Sequence, residues 1–290
     1  MNFIGTPLWG LNNLVTLLQV KSDENSGVTV IIPAFRSENV IIRALNSALN
    51  QTSQPDEIIV VDDASDDQTV SIVREFAKSC PKLRLVINTE NEGPGRSRNT
   101  AWQLATTEFI AFLDADDTWR PEKLQIQLEW FQKNQDAVIC GTMHQIINEP
   151  ATKINGEPVS AFDVKDLLRR NRFTTPSAVL RRNIPVRFDN KLRLAEDYLL
   201  WMEIAATYGS VYRINQALTI LHKPIFGASG LSSKMFPMYI GELKAIKALA
   251  SKGHISRTRF INCACWSTLK LVRRTPTSIL RNLRWRFKSV

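Results

Sequence analysis

The stretch Ile58-Ile59-Val60-Val61-Asp62-Asp63-Ala64-Ser65-Asp66-Asp67 decides how the chain is read. Apolar β-favouring residues end abruptly in acids, as a buried strand does where it leaves a sheet at a polar rim. The same pattern recurs on both sides. Upstream, Val28 to Ile32 leads into Pro33-Ala34-Phe35-Arg36-Ser37-Glu38. Downstream, Leu83 to Ile87 is followed by Asn91-Glu92-Gly93-Pro94-Gly95-Arg96-Ser97-Arg98-Asn99, and Phe109 to Leu113 by Asp114-Ala115-Asp116-Asp117. Between these runs the apolar spacing turns helical, over Glu38 to Asn50, Gln68 to Cys80 and about Pro94 to Ala105. Strands separated by helices of this length predict βαβ units, so the fold class is α/β, a mainly parallel sheet flanked by helices. The ligand crevice of such a sheet lies at the carboxyl ends of its strands, where all four polar stretches converge.

Beyond Pro121 the pattern predicts a helix through Asn134, a strand around Ala137 to Ile146 and a loop-rich stretch to about Ser160. A helix near Val164 to Arg170, a short strand near Ser177 to Leu180, a helix over Ala195 to Tyr208 and two β-like runs, Ser210 to Ile214 and Ala217 to Leu221, follow. The chain divides into an apolar segment and linker, 1–27, a body, 28–232, with halves 28–120 and 121–232, and a helical basic extension, 233–290.

The 290 residues are 44% hydrophobic and 22% charged, enough to bury a sizeable core. The net charge of +9 is a tail property: 251–290 holds ten Lys or Arg and no acid, leaving the rest near neutral. This disfavours nucleic acid as a partner and favours a local anionic surface, such as a membrane. Four cysteines without a CxxC pair predict a reducing, cytoplasmic location, and three scattered histidines argue against a nitrogen and sulfur metal site. No apolar run reaches the length of a membrane span, and the segment from Phe3 to Val20 lacks the features of a signal peptide.

Asp114-Ala115-Asp116 places two carboxylates after a strand, which suits a hard divalent cation, Mn2+ or Mg2+, sharing a phosphate oxygen. Helix capping is the competing reading, with Asp117 as cap, since Asp117-Thr118 precedes a helix. Asp62 and Asp63 could accept hydrogen bonds from a base or ribose, or cap a turn; Asp66 and Asp67 read as helix-start acids. Arg98 is aimed at a helix N-terminal region where an anion would sit, while Arg96 reads as a surface residue. Glu196-Asp197 opens a helix with an apolar stripe, where an acid either deprotonates a substrate hydroxyl or caps the helix.

Taken together, Val-Ile-Ile-Pro-Ala-Phe, Val-Val-Asp-Asp-Ala-Ser-Asp-Asp, Asn-Glu-Gly-Pro-Gly-Arg-Ser-Arg-Asn, Phe-Leu-Asp-Ala-Asp-Asp and Ala-Glu-Asp-Tyr resemble, in order, the family-2 inverting glycosyltransferases of GT-A fold, of the bacterial polysaccharide type. The resemblance runs from about Val28 to about Ser232. It implies that Pro33, Ala34, Phe35 and Glu38 line the nucleotide pocket, that Asp62 or Asp63 meets the base, and that Arg98 and Asn99 face the nucleotide. Asp114 and Ala115 then lie at the ribose, Asp116 at the metal, and Asp197, with Glu196 beside it, at the position of the catalytic base. His222 is the second metal candidate and Lys223 a basic residue near the diphosphate, ahead of a Gly-Ala-Ser-Gly-Leu-Ser loop from Gly227. Phe35-Arg36 stands where the family usually has Tyr-Asn, and Ala64 where it has Gly.

The implied activity moves a sugar from a nucleotide-sugar, a UDP-sugar being favoured, to a hydroxyl of a glycan or lipid-linked acceptor in surface polysaccharide synthesis. Transfer to a polyprenyl phosphate and a non-catalytic nucleotide-sugar scaffold are the alternatives. In the tail, Ile279, Leu280, Leu283 and Phe287 share a helical face flanked by Arg281, Arg284 and Lys288, as in a helix lying in a membrane interface; the competing reading is a packing helix with a solvated basic face. With the N-terminal Leu and Trp residues, this predicts peripheral attachment to the inner face of the cell membrane.

Overall fold

The computed structural model describes residues 27–149, 157–223 and 235–286; of Met235 and 272–286 it describes the backbone alone. The tail face read from Ile279, Leu280, Leu283 and Phe287, the loop from Gly227 and the apolar segment before Gly27 lie outside the described residues or side chains.

Four strands run parallel: β1 (Val28–Ala34), β2 (Glu57–Asp62), β3 (Leu83–Ile87) and β4 (Phe109–Phe112), ordered β3-β2-β1-β4. The helices between them are α1 (Ile41–Leu49), α2 (Thr69–Lys78) and α3 (Pro94–Leu104). Past β4 the sheet continues with β8 (Val179–Arg181), β6 (Ile139–Ile146), β9 (Val211–Leu221) and β5 (Thr118–Trp119), and β7 (Val159–Phe162) pairs with β9. One sheet therefore runs through both halves of the body, with β8 antiparallel to β4 and β6.

Strand alternation sorts the core into two faces, because successive side chains point to opposite sides of a sheet. Ile59 and Val61 of β2 join Ile31, Ile110 and Phe112 in one cluster; Ile58 and Val60 join Val30, Ile32 and Ala111 in the other. The first face is covered by α3, by α5 (Val164–Arg169) and α6 (Glu196–Tyr208), and by residues of α7 (Met235–Ser251). Residues of α1, α2 and α4 (Lys123–Lys133) pack on the second. A final helix, α8, spans Arg257–Arg286.

Two sequence expectations are corrected. Asp117 does not cap a helix: Thr118–Trp119 pairs antiparallel with β9, and α4, lying beyond Pro121 as expected, starts at Lys123 after Glu122. The runs Ser210 to Ile214 and Ala217 to Leu221 form one strand, β9. Asn215 and Gln216 do not break it, because β9 carries them as a bulge: Thr142, Met143 and His144 of β6 pair in turn with Ile214, Ala217 and Thr219.

Candidate active site

The loop after β1 is tied to the loop after β2. Arg36 forks onto Asp66 with both contacts at 2.7 Å, Ser37 donates its amide to Thr69 Oγ1 at 2.7 Å, and Glu38 accepts from the Gln68 amide at 2.9 Å. Asp67 bonds the amides of Thr69 and Glu38 at the start of α2, whereas Asp66, expected there too, serves Arg36. Pro33 is half-buried, Ala34 buried and Phe35 exposed along this edge. Arg36 and Ala64 both hold left-handed backbone, with φ of 48° and 61°, a conformation that Asn and Gly adopt more easily.

Asp62 and Asp63 separate in role. Asp63 is saturated: it accepts from Asn88 Nδ2 at 2.9 Å, the Glu92 amide at 3.0 Å and the Gly93 amide at 2.8 Å, holding the loop that launches α3. Gly93 takes φ of 92° and Pro94 follows as first helical residue. Asp62 accepts from the Ser65 amide at 2.9 Å, and its Oδ1 is buried without a partner. Of the two acids read as base contacts, Asp62 is the one with an unfilled oxygen. Asn99, read as facing the nucleotide, instead ties α3 to residues Phe188 and Asn190 through three hydrogen bonds.

Arg98 is the organiser of the rim. It is only 4% exposed, lies 5.4 Å from the centre of the Phe188 ring, and bridges Asp114 at 2.6 Å and Glu196 at 3.2 Å, so α3, the end of β4 and the start of α6 meet on one guanidinium. Burial opposes its charge, but Asp114 and Glu196 outweigh that penalty and hold it ionised.

Helix α6 opens after Ala195, whose φ of 59° swings the first turn into the rim. Glu196 is buried and packs against Gly95, where a Cβ would stand 3.0 Å from the Glu196 side chain. Burial, reinforced by Asp197 and opposed by Arg98, pushes its carboxyl up to about 7. Asp197 keeps partial exposure; it accepts from Thr175 Oγ1 at 3.2 Å and from the Tyr198 amide at 2.7 Å, and burial raises it against the pull of Arg98. Thr175 belongs to the 3-10 turn Thr175–Ser177. Nothing in the sequence singled it out, since its partner is 22 residues away and Thr-Thr-Pro carries no chemical signature.

Asp114, buried Ala115, Asp116 and Asp117 crowd the turn after β4. Burial, with repulsion from Asp114 and Asp116, pushes Asp117 up to about 8, and its Oδ1 accepts the His222 amide at 3.2 Å. Cations already answer part of this charge: Lys223 pairs with Asp116 at 3.0 Å, and Arg43 donates to the Asp116 carbonyl at 2.8 Å. His222 Nε2 contacts Thr118 Oγ1 at 2.8 Å. Among the described residues no group of three His, Cys, Asp or Glu side chains could cage a metal. The surplus carboxylates nevertheless fit a hard cation held by one protein acid with substrate oxygens and water completing the shell.

The chain matches the family model Glycosyl transferase family 2 over residues 29–190. It is 32% identical over 209 residues to the succinoglycan biosynthesis protein ExoO of Rhizobium meliloti, covering 64% of this chain and 58% of that protein. It is 34% identical over 179 residues to the UDP-Glc:alpha-D-GlcNAc-diphosphoundecaprenol beta-1,3-glucosyltransferase WfgD of Escherichia coli, 61% of this chain and 69% of that one. The chain thus spans little more than half the length of the first of these curated relatives. Among solved structures, the mannosyltransferase PcManGT from Pyrobaculum calidifontis in complex with GDP-Man and Mn2+ superposes with a TM-score of 0.63 at 22% identity, over 87% of this chain and 73% of that one. S. aureus TarS 1-349 in complex with UDP-GlcNAc gives 0.61 at 23% identity, over 76% and 66%. At such identity these likenesses speak for the fold, which is that of GT-A glycosyltransferases.

Proposed function

The chain belongs to glycosyl transferase family 2, and from that premise we propose that it moves a sugar from a nucleotide-sugar, a UDP-sugar for preference, to a hydroxyl of a glycan or lipid-linked acceptor in surface polysaccharide synthesis, by one displacement with inversion. The observation that carries this reading is the division of labour at the start of α6. Glu196 is buried against Arg98, while Asp197 stays partly exposed with a carboxylate oriented from both sides by Thr175 and the Tyr198 amide. A raised, oriented, reachable carboxylate is what a general base needs. Asp197 takes the proton of the acceptor hydroxyl, the hydroxyl oxygen bonds to the anomeric carbon, and the bond to the nucleoside diphosphate breaks. Transfer to a phosphate acceptor would need no such base, so the held Asp197 favours a hydroxyl.

On the donor side, Asp62 Oδ1 offers the free acceptor for a base or ribose donor, Phe35 and Pro33 the apolar edge, and Asp114 a carboxylate already fixed by Arg98. Asp116 would hold Mn2+ or Mg2+, which would neutralise charge on the departing diphosphate. Lys223 adds a cation at the same edge.

We place the enzyme peripherally on the inner face of the membrane. Among the described residues no helix is long and apolar enough to cross a membrane, and α8 exposes Ile261, Trp266 and Leu269 within an acid-free sequence. Such a helix suits an interfacial position.

Calorimetry with UDP and GDP, with and without Mn2+, tests the donor and metal readings; Mn2+-dependent UDP binding is expected, lost in Asp116→Asn. Asp197→Asn is expected to keep nucleotide binding and lose about 10²- to 10⁴-fold in turnover. Retention of near-native turnover in that variant would remove Asp197 as the base.

A further inference from the structure

A cluster of arginines lies outside the donor rim. Arg170 and Arg172 follow α5, and Arg213 lies on β9, where its backbone is in register with Ser160 of β7. The guanidinium carbons of Arg172 and Arg213 stand 4.9 and 5.2 Å from the centre of the same Phe162 ring. Like charges gathered on one aromatic ring repel. Among the described residues none of the three makes an ion pair. Arg213 bonds only the neutral Asn215 Oδ1, at 3.0 and 3.1 Å. Burial and then the repulsion of Arg172 and Arg170 lower its basicity. His144, lowered by burial and then by Arg213 and Arg170, faces the same charges, with Glu149 the acid acting on it. The adjoining stretch 150–156 contains Lys153 and no acid.

Among the described residues two further groups find no hydrogen-bond partner, Arg172 Nε and Thr174 Oγ1, both buried. A buried donor without an acceptor costs free energy unless something fills it. Both belong to the segment that ends in Thr175, the residue bonded to Asp197. Arg172 precedes Thr175 by three residues, so their Cα atoms are at most about 11 Å apart. Arg172 therefore stands close along the chain to the residue that orients Asp197.

We propose that Arg172 and Arg213, which share the Phe162 ring, together with Arg170 at the C-terminal cap of α5, bind an oxyanion of the acceptor, a carboxylate or a phosphate carried on the reacting sugar unit or its neighbour. This rests on the reading of Asp197 as the acceptor-side base. Planar guanidiniums suit either oxyanion, because both present paired oxygens to the fork. The site would select charged acceptors over neutral ones, independently of the donor.

The test is a ligand-observed NMR titration of the full chain with methyl glucuronide, glucose phosphate and methyl glucoside, in the presence of UDP and Mg2+ to occupy the donor side. The expected result is binding of at least one charged sugar about tenfold tighter than the neutral one. The glucuronide arm reports a carboxylate and the phosphate arm a phosphate. In Arg170→Gln/Arg172→Gln the preference should vanish while UDP affinity stays unchanged. Arg170→Gln alone, at an exposed position, should weaken it and guards against misfolding of the double variant. Equal affinity for charged and neutral sugars, or an undiminished preference in both variants, would overturn the proposal. Failure of UDP to bind would count against the donor reading and not against this one, because the probes are observed directly.

Discussion

Two cations lie equally deep in this protein and do opposite things. Arg98 is 4% exposed and holds Asp114 and Glu196 across three elements of the rim. Lys123, at the start of α4, is fully buried; its ammonium sits 4.1 Å from the centre of the Trp119 ring and has no hydrogen-bond partner. Burial lowers Lys123 to about 7, whereas the carboxylates keep Arg98 charged. Depth alone therefore does not mark a functional charge. An arginine stays ionised and rigid when buried between acids, so it can organise a site; a lysine survives burial by surrendering its proton and then acts as a long apolar side chain.

Arg98→Met should break this contrast most severely. It leaves Asp114 and Glu196 without their counter-charge, for a loss of about 3–5 kcal/mol in stability and a fall in turnover well beyond it. Chemical denaturation and donor-hydrolysis or transfer assays read the two effects; a variant as stable as the parent would show that the network is not what binds α3 to α6.

The next effect is on pH dependence. The Glu196 and Asp197 pair is raised, with Glu196 at about 7, and a raised carboxyl is protonated as pH falls through that value. Turnover should therefore drop on the acid side at a pH above the ordinary carboxylate range, as the pair takes up a proton. Flat activity down to the range of an ordinary carboxylate would show that the pair does not carry the base.

The smallest effect sharpens the comparison from the other side. Lys123→Met should stabilise the protein by about 1–2 kcal/mol at neutral pH, because the cost of burying an amine disappears. The sign follows from linkage: the folded value, about 7, lies below the ordinary 10.5, so the unfolded chain holds more protons between the two. The parent should gain stability as pH rises through that window and be penalised most below it; the variant should lose this slope. Thermal melts across the range decide it.

Much of the donor half was legible because its information is local. Alternation at Ile58 to Val61 says which residues face each side of a sheet, and Asp62, Asp114 and Asp116 follow the apolar runs ending at Val61 and Leu113 by only one to three positions in the chain. Glu196-Asp197 announced itself by opening an apolar helix. The short strand Thr118–Trp119 was not legible, since two residues have no periodicity and its partner β9 lies a hundred positions on.

The chain's own pattern of apolar and polar residues determined the α/β fold, the order of the strands' polar ends and the residue types available at the rim. Period and propensity act between neighbours, and neighbours are all that a pattern records. Only the tertiary structure decided how those residues are used: that Asp63 and Asn99 build loops, that Thr175 orients Asp197, that Arg98 bridges Asp114 and Glu196, and that Arg172 and Arg213 meet on Phe162. Hydrogen bonds and charge pairs depend on contact across space, and packing alone brings positions so far apart in the chain to within hydrogen-bonding distance.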